Sequence, residues 1–253
     1  MTIMTETPQK PEPRPLWRLF FGIIDQPAAT FEAILARRKW WMWAGPLLIL
    51  VLTFAAMTVI NMPYAQELAR EQAELRLAEL PASQAEAART AMEVSLSYPV
   101  LLASALGFGI LAILVGLLAQ ATFLYFSALV AGGDDLNFGP VFTVSAWTRL
   151  PLALGMLVQT GYMVFSQQGV RYPGLSFLVS TGDLMQDARN PLVPLLARLD
   201  IFWLWHLLLV VIGLSVAARF GRGKSLVLTL IYAALALGFA VLPTLLFGGL
   251  MGG

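Results

Sequence analysis

Along this chain, long stretches without a charged residue alternate with short polar connections. Five such runs stand out, at 40–66, 94–133, 136–170 (interrupted only by Arg149), 201–218 and 225–253. About twenty consecutive apolar residues carry a helix across a hydrocarbon core about 30 Å thick, where the backbone must satisfy its own hydrogen bonds. The runs therefore predict spans at 41–61, 100–131, 140–164, 201–219 and 225–247. The second run is long enough for two short spans, but it holds no Pro, Asn or Asp between Val100 and Ala131. Gly107, Gly109 and Gly116 sit there among Ala and Ser as close-packing positions, so one long helix protruding at one end is expected.

The segments between the runs have patterns of their own. Leu16, Phe20, Ile23 and Ile24, then Phe31, Ile34 and Leu35, recur at helical spacing on either side of Pro27. They predict two short amphipathic helices lying on the inner leaflet. Residues 63–93 read as polar helix carrying Glu67, Glu71 and Glu74, with a break at Pro81 and a capping box from Ser83 to Glu86. Residues 166–200, with Pro173, Gly174, Pro191 and Pro194, read as an irregular external cap. The first fifteen residues are polar, with Pro8, Pro11, Pro13 and Pro15 and no apolar core of a signal peptide, and are expected to be a disordered tail. The reading is thus an all-α polytopic membrane helix bundle with five transmembrane helices: a tail at 1–15, interfacial amphipathic helices at 16–39 and a membrane domain at 40–253.

Composition narrows the function classes. Of 253 residues 58 % are hydrophobic, and 16 Lys and Arg nearly balance 15 Asp and Glu, for a net charge of +1. No global field is left to recruit nucleic acid. The chain has no cysteine and a single histidine, which excludes disulfides, thiolate chemistry and paired-histidine metal sites. Nor is there a Gly-x-Ser-x-Gly elbow or an intramembrane aspartate pair, so no enzyme activity and no cofactor is expected.

Lys and Arg next to the spans set orientation. Six lie before the first span (Lys10, Arg14, Arg18, Arg37, Arg38, Lys39), and Arg219, Arg222 and Lys224 lie in the turn between the fourth and fifth. The connection between the first two spans has only Arg70, Arg76 and Arg89 against six glutamates. The N-terminus is therefore expected in the cytoplasm and the C-terminus outside. Trp40, Trp41 and Trp43, directly after Arg37, Arg38 and Lys39, are expected to anchor the inner interface and to meet anionic lipid there.

Residues 25–46 (DQPAATFEAILARRKWWMWAGP), 138–152 (FGPVFTVSAWTRLPL) and above all 199–230 (LDIFWLWHLLLVVIGLSVAARFGRGKSLVLTL) resemble bacterial members of the Yip domain family, named for interaction with Ypt/Rab GTPases. The last stretch carries that family's aspartate, aromatic–tryptophan pair, mid-helix glycine and basic turn at Asp200, Phe202, Trp205, Gly213 and Lys224. The eukaryotic Asp-Leu-Tyr-Gly-Pro motif has no true counterpart, since Asp135 to Pro140 carries an extra residue and precedes the third span. The resemblance implies a five-span protein of the bacterial cytoplasmic membrane that organises or shapes the bilayer or binds membrane partners. Its expected partners are membrane lipids, with other membrane proteins or a second copy of the chain as further candidates. A translocator of lipid or a small solute is the alternative.

Candidate sites are few. Arg149 is the one formal charge in the interior of a predicted span, costing a few kcal/mol at the bilayer centre unless it is paired or faces water. It is expected to face the bundle interior, reaching protein polar groups or a cavity toward Asp200 and His206. Its alternatives are a substrate or headgroup contact, a structural ion pair, or snorkelling. His206 reads as a packing histidine before a proton relay, because no second histidine or mid-span carboxylate could relay with it. Gln120, Thr122, Gln159 and Thr160 read as interhelical glue. Asp134 and Asp135 read as a turn rather than a metal pair.

Overall fold

The computed structural model describes residues 15–37, 39–78, 80–133 and 135–247. Nearly all of the expected tail, Arg38, Asp134 and residues 248–253 lie outside them. The described residues form helices joined by turns and loops, with no strand among them. Two short helices, α1 (Leu16–Asp25) and α2 (Pro27–Ala36), form a hairpin, with Pro27 pre-set for the first turn of α2. A 3₁₀ turn at Trp40–Trp43 leads into α3 (Ala44–Ala78), followed by α4 (Ala82–Ser95), α5 (Tyr98–Val130), α6 (Phe138–Trp147) and α7 (Leu150–Ser166). After a second 3₁₀ turn at Ser176–Leu178 come α8 (Leu184–Arg189), α9 (Leu192–Ala197), α10 (Ile201–Ala217) and α11 (Arg222–Phe247).

Among the described residues, four helical units are long and apolar enough to cross a membrane: Trp40–Leu75, Tyr98–Val130, Phe138–Ser166 and Arg222–Leu246. The fourth predicted span is α10, a shorter apolar helix of 17 residues, about 25 Å at 1.5 Å per residue.

Long-range contacts sort the helix ends onto two faces. On one, the Trp147 indole donates to Met42 O (2.9 Å), Lys224 Nζ donates to Ala131 O (2.7 Å), and Phe220 lies against Gly133. On the other, Gln66 Nε2 donates to Leu96 O (2.8 Å), Tyr64 packs on Gly169, and Leu175 N–H bonds Leu196 O (2.9 Å). Gly174 makes that last approach possible. Its φ is +59° and a Cβ there would stand 2.7 Å from the carbonyls of Leu196 and Ala197, so no other residue fits. The connection between α7 and α10 is tied locally by Asp187. Its carboxylate accepts from the Ser180 hydroxyl, Thr181 N–H (2.7 Å) and the Thr181 hydroxyl (2.9 Å). The Ser180 bond, followed by the Thr181 backbone, holds that carboxyl below its ordinary pKa.

Two features differ from the sequence reading. The third predicted span is two helices, broken at Thr148 and Arg149. Pro151 has no N–H to give, and at the break Leu152 N–H and Ala153 N–H both bond Arg149 O (3.0 and 3.2 Å). The backbone turns on that shared acceptor, which releases Thr148 O for a side-chain donor. The α1–α2 hairpin also departs from expectation, because its apolar residues do have a protein face to cover. Leu19, Ile23, Phe31 and Ile34 are buried in one cluster with Met42, Val144, Trp147 and Leu209. Phe20 stacks on Trp147 with centroids 4.8 Å apart. Phe31 lies over Gly213, where a Cβ would meet its ring at 3.1 Å.

A second cluster holds α5, α6, α10 and α11 together through Leu124, Val141, Val210, Leu214 and Leu228. The buried residues of α5 all fall between Leu117 and Ala128, while its first half has none. That first half meets α3 where the Phe54 ring lies directly on Gly109.

Candidate functional site: an intramembrane polar network

The break between α6 and α7 turns polar groups toward the middle of the bundle. Arg149 Nε donates to Gln120 Oε1 of α5 (2.9 Å), and its Nη1 donates to Ile113 O (3.3 Å). Gln120 Nε2 in turn donates to Thr148 Oγ1 (3.2 Å), whose hydroxyl donates to Ser145 O (2.9 Å). Gln120 and Thr148 each accept one hydrogen bond and donate the next, so the chain of bonds runs in a single direction from the guanidinium to Ser145 O.

His206 enters from α10. Its Nδ1 lies 2.7 Å from Thr148 O, and a carbonyl only accepts, so Nδ1 carries the hydrogen. Nε2 faces the Tyr232 hydroxyl of α11 at 3.3 Å, and that phenol also stands beside the Arg149 guanidinium. Gln120, Thr148 and His206 are buried, while Arg149 remains partly exposed along its length. Gly116 lies under the guanidinium, and a Cβ there would be 3.5 Å from Nη2. Four helical segments are cross-tied by this network. The oxygens around Arg149 are an amide, a backbone carbonyl and a phenol rather than a carboxylate.

Of the expected trio, the structure brings Arg149 and His206 together through Thr148. Asp200 is engaged elsewhere, accepting Trp203 N–H at 2.7 Å as the N-cap of α10. Gln120 is glue of the expected kind, whereas Thr160 bonds its own helix at Met156 O (2.7 Å). Thr148 and Tyr232 were missed. The first acts through a backbone carbonyl, which no side-chain pattern signals. For the second a signal existed: tyrosine prefers membrane interfaces, and Tyr232 stands well inside its apolar run.

At the other candidate place, Trp40 and Trp41 are both exposed, with Lys39 Nζ 5.4 Å from the Trp41 ring. Trp43 turns inward and meets Phe142 edge-on at 5.6 Å. A chain with this arrangement presents indole and ammonium side by side at one face of the bundle.

The profile of the Yip1 domain matches residues 21–245. No curated protein and no solved structure matches the chain.

Proposed function

Since this chain belongs to the Yip1 domain family, we propose that it is a non-enzymatic scaffold of a bacterial cytoplasmic membrane that shapes the bilayer from its inner leaflet. In this reading α3, α5, α6–α7, α10 and α11 make five crossings, the face bearing Trp40 and Lys224 is cytoplasmic, and the C-terminus is outside.

The observation that carries the proposal is the two-sidedness of α1. One face, with Leu19 and Ile23, is sealed against the bundle, whereas Trp17, Phe21 and Ile24 are 59, 67 and 60 % exposed on the other. Those three recur at i, i+4 and i+7, so they form one outward apolar stripe. Arg18 folds over the Trp17 ring, 5.2 Å from its centroid, and brings its charge to the stripe's edge. Interfacial helices bury such faces about 5–10 Å into the headgroup boundary. Docked on a rigid bundle, the hairpin adds cross-section to one leaflet only.

The test uses the full chain with Trp17→Ser, Phe21→Ser and Ile24→Ser, which leaves the bundle side intact. Reconstituted at matched protein-to-lipid ratio, the unaltered protein should shift vesicles to smaller diameters by cryo-microscopy, and the triple variant should leave them as in protein-free controls. Identical diameter distributions for both would sink the proposal.

The translocator reading rests on Arg149. Three protein oxygens, two from α5 and one from α11, hold that guanidinium, which suits a fixed strut better than a site that must take up and release a ligand. Dithionite bleaching of fluorescent lipid should accordingly stop at the outer-leaflet fraction in proteoliposomes.

A further inference from the structure

On the face opposite Trp40 lies a cleft of about 1030 Å³ between α3, α7 and the segment 167–177. Gln167, with φ +55°, turns the chain sharply at the end of α7, and Gly169 packs so tightly on Tyr64 that a Cβ would sit 3.0 Å from that side chain. The loop is thereby closed against α3 and forms the roof. The floor descends along α7 to Val158, eight residues before Ser166, about 12 Å into the span.

The lining changes character along that depth. Val158 and Tyr162 present apolar surface on the span, with Phe177 facing them from the loop. Glu67 and Arg171 bring opposite charges to the same cleft, and neither makes a hydrogen bond or ion pair with a described residue. Gln159 and Gln168 add amide oxygens as acceptors. An opening at a membrane surface that is charged with both signs at its mouth and apolar below matches an amphiphile with a zwitterionic head.

We propose that this cleft binds a zwitterionic phospholipid with a primary ammonium, of the phosphatidylethanolamine class, from the leaflet opposite the α1–α2 hairpin. The Arg171 guanidinium takes the phosphate, for which its planar fork of donors is suited. The Glu67 carboxylate and the glutamine amides take the ammonium. A primary ammonium has three N–H donors for those acceptors and a quaternary one has none, which selects ethanolamine over choline heads. The cleft holds a headgroup, glycerol and the top of one chain, and the remaining acyl length stays in the bilayer.

The experiment is native mass spectrometry of the delipidated full chain with equimolar phosphatidylethanolamine, phosphatidylcholine and phosphatidylglycerol. The unaltered protein should retain phosphatidylethanolamine about fivefold over either competitor. Glu67→Gln should abolish the preference over phosphatidylcholine, and Arg171→Gln should lower retention of all three lipids about tenfold, with partial recovery in Arg171→Lys. Both residues are exposed, so circular dichroism should show unchanged helicity in every variant. Retention profiles that do not respond to either substitution would overturn the site, as would a preference for phosphatidylglycerol. Soluble glycerophosphoethanolamine in hundredfold excess should leave the lipid bound; displacement would assign the cleft to a free phosphoamine instead and overturn the lipid.

Discussion

Arg149 is held where it is by Gln120, and the two are unequal in what their loss should do. Removing the arginine also removes the charge that needed desolvating, whereas removing Gln120 leaves the charge and takes away its acceptor. Breaking a buried charged contact from one side costs more than replacing both partners by apolar groups. Gln120→Leu should therefore destabilise the bundle by about 1.5–3 kcal/mol. The double variant Gln120→Leu with Arg149→Leu should be milder than the sum of the singles by about 1 kcal/mol or more. Reversible unfolding in mixed micelles measures the cycle, and strict additivity would show that the two side chains do not act as a unit. The sequence marked Arg149, His206 and Gln120 as unusual for a span. Their assembly was not legible, because it runs through Thr148 O and depends on a helix break whose acceptor sharing at Arg149 O emerges only from backbone geometry. Glu67 and Arg171 were equally silent, lying on segments far apart in the chain, each resembling an ordinary solvated charge.

At the scale of elements, the docking of the α1–α2 hairpin turns on Gly213. A Cβ at that position would stand 2.5 Å from Val144 Cγ1 and 3.1 Å from the Phe31 ring, so the buried faces of α2, α6 and α10 meet there without slack. Gly213→Ala should loosen the hairpin by about 1–3 kcal/mol, the usual range for overpacking. Faster hydrogen exchange across residues 16–36 with α5 unchanged would report it. Gly139, where an added Cβ would meet nothing within 4 Å, is the control: Gly139→Ala should be neutral or stabilising by up to about 1 kcal/mol, since glycine is unfavourable within a helix. The amphipathic spacing of α1 and α2 could be read from the residues. Which apolar phase each face meets could not, because periodicity marks a face as apolar and is blind to whether lipid or protein covers it. Pro63 shows the converse: a residue that ordinarily ends helices lies inside the 35 residues of α3.

For the whole molecule, the sorting of helix ends onto two faces makes orientation a single yes-or-no question. The chain has no cysteine, so one cysteine at a time can be placed without background. With Ala85→Cys on α4 and Arg222→Cys at the start of α11, an impermeant maleimide added to intact cells should label the first and spare the second until the cells are opened. The reverse pattern would invert the proposed topology, and labelling of both in sealed cells would place the two faces on one side. Charge-free run lengths marked the four units that are long and apolar enough to cross a membrane. They did not show that α10 would be only 17 residues long, or that α3 would run on without a break into the polar segment beyond its span.

The length of α5 reaches beyond the protein itself. Its 33 residues carry no charge and extend about 50 Å, against a hydrocarbon core about 30 Å thick. Tilting to 40°, the upper end of what is common, would still leave its projection at about 38 Å. With no buried residue in its first half, that half packs on α3 along one side and leaves Val100, Phe108, Leu111 and Leu114 exposed. The surrounding bilayer must thicken around it, or the helix must leave apolar turns in the headgroups. Either outcome has a free-energy cost that falls as the membrane becomes thicker, so the chain carries a gauge of bilayer thickness and should accumulate in the thickest regions open to it.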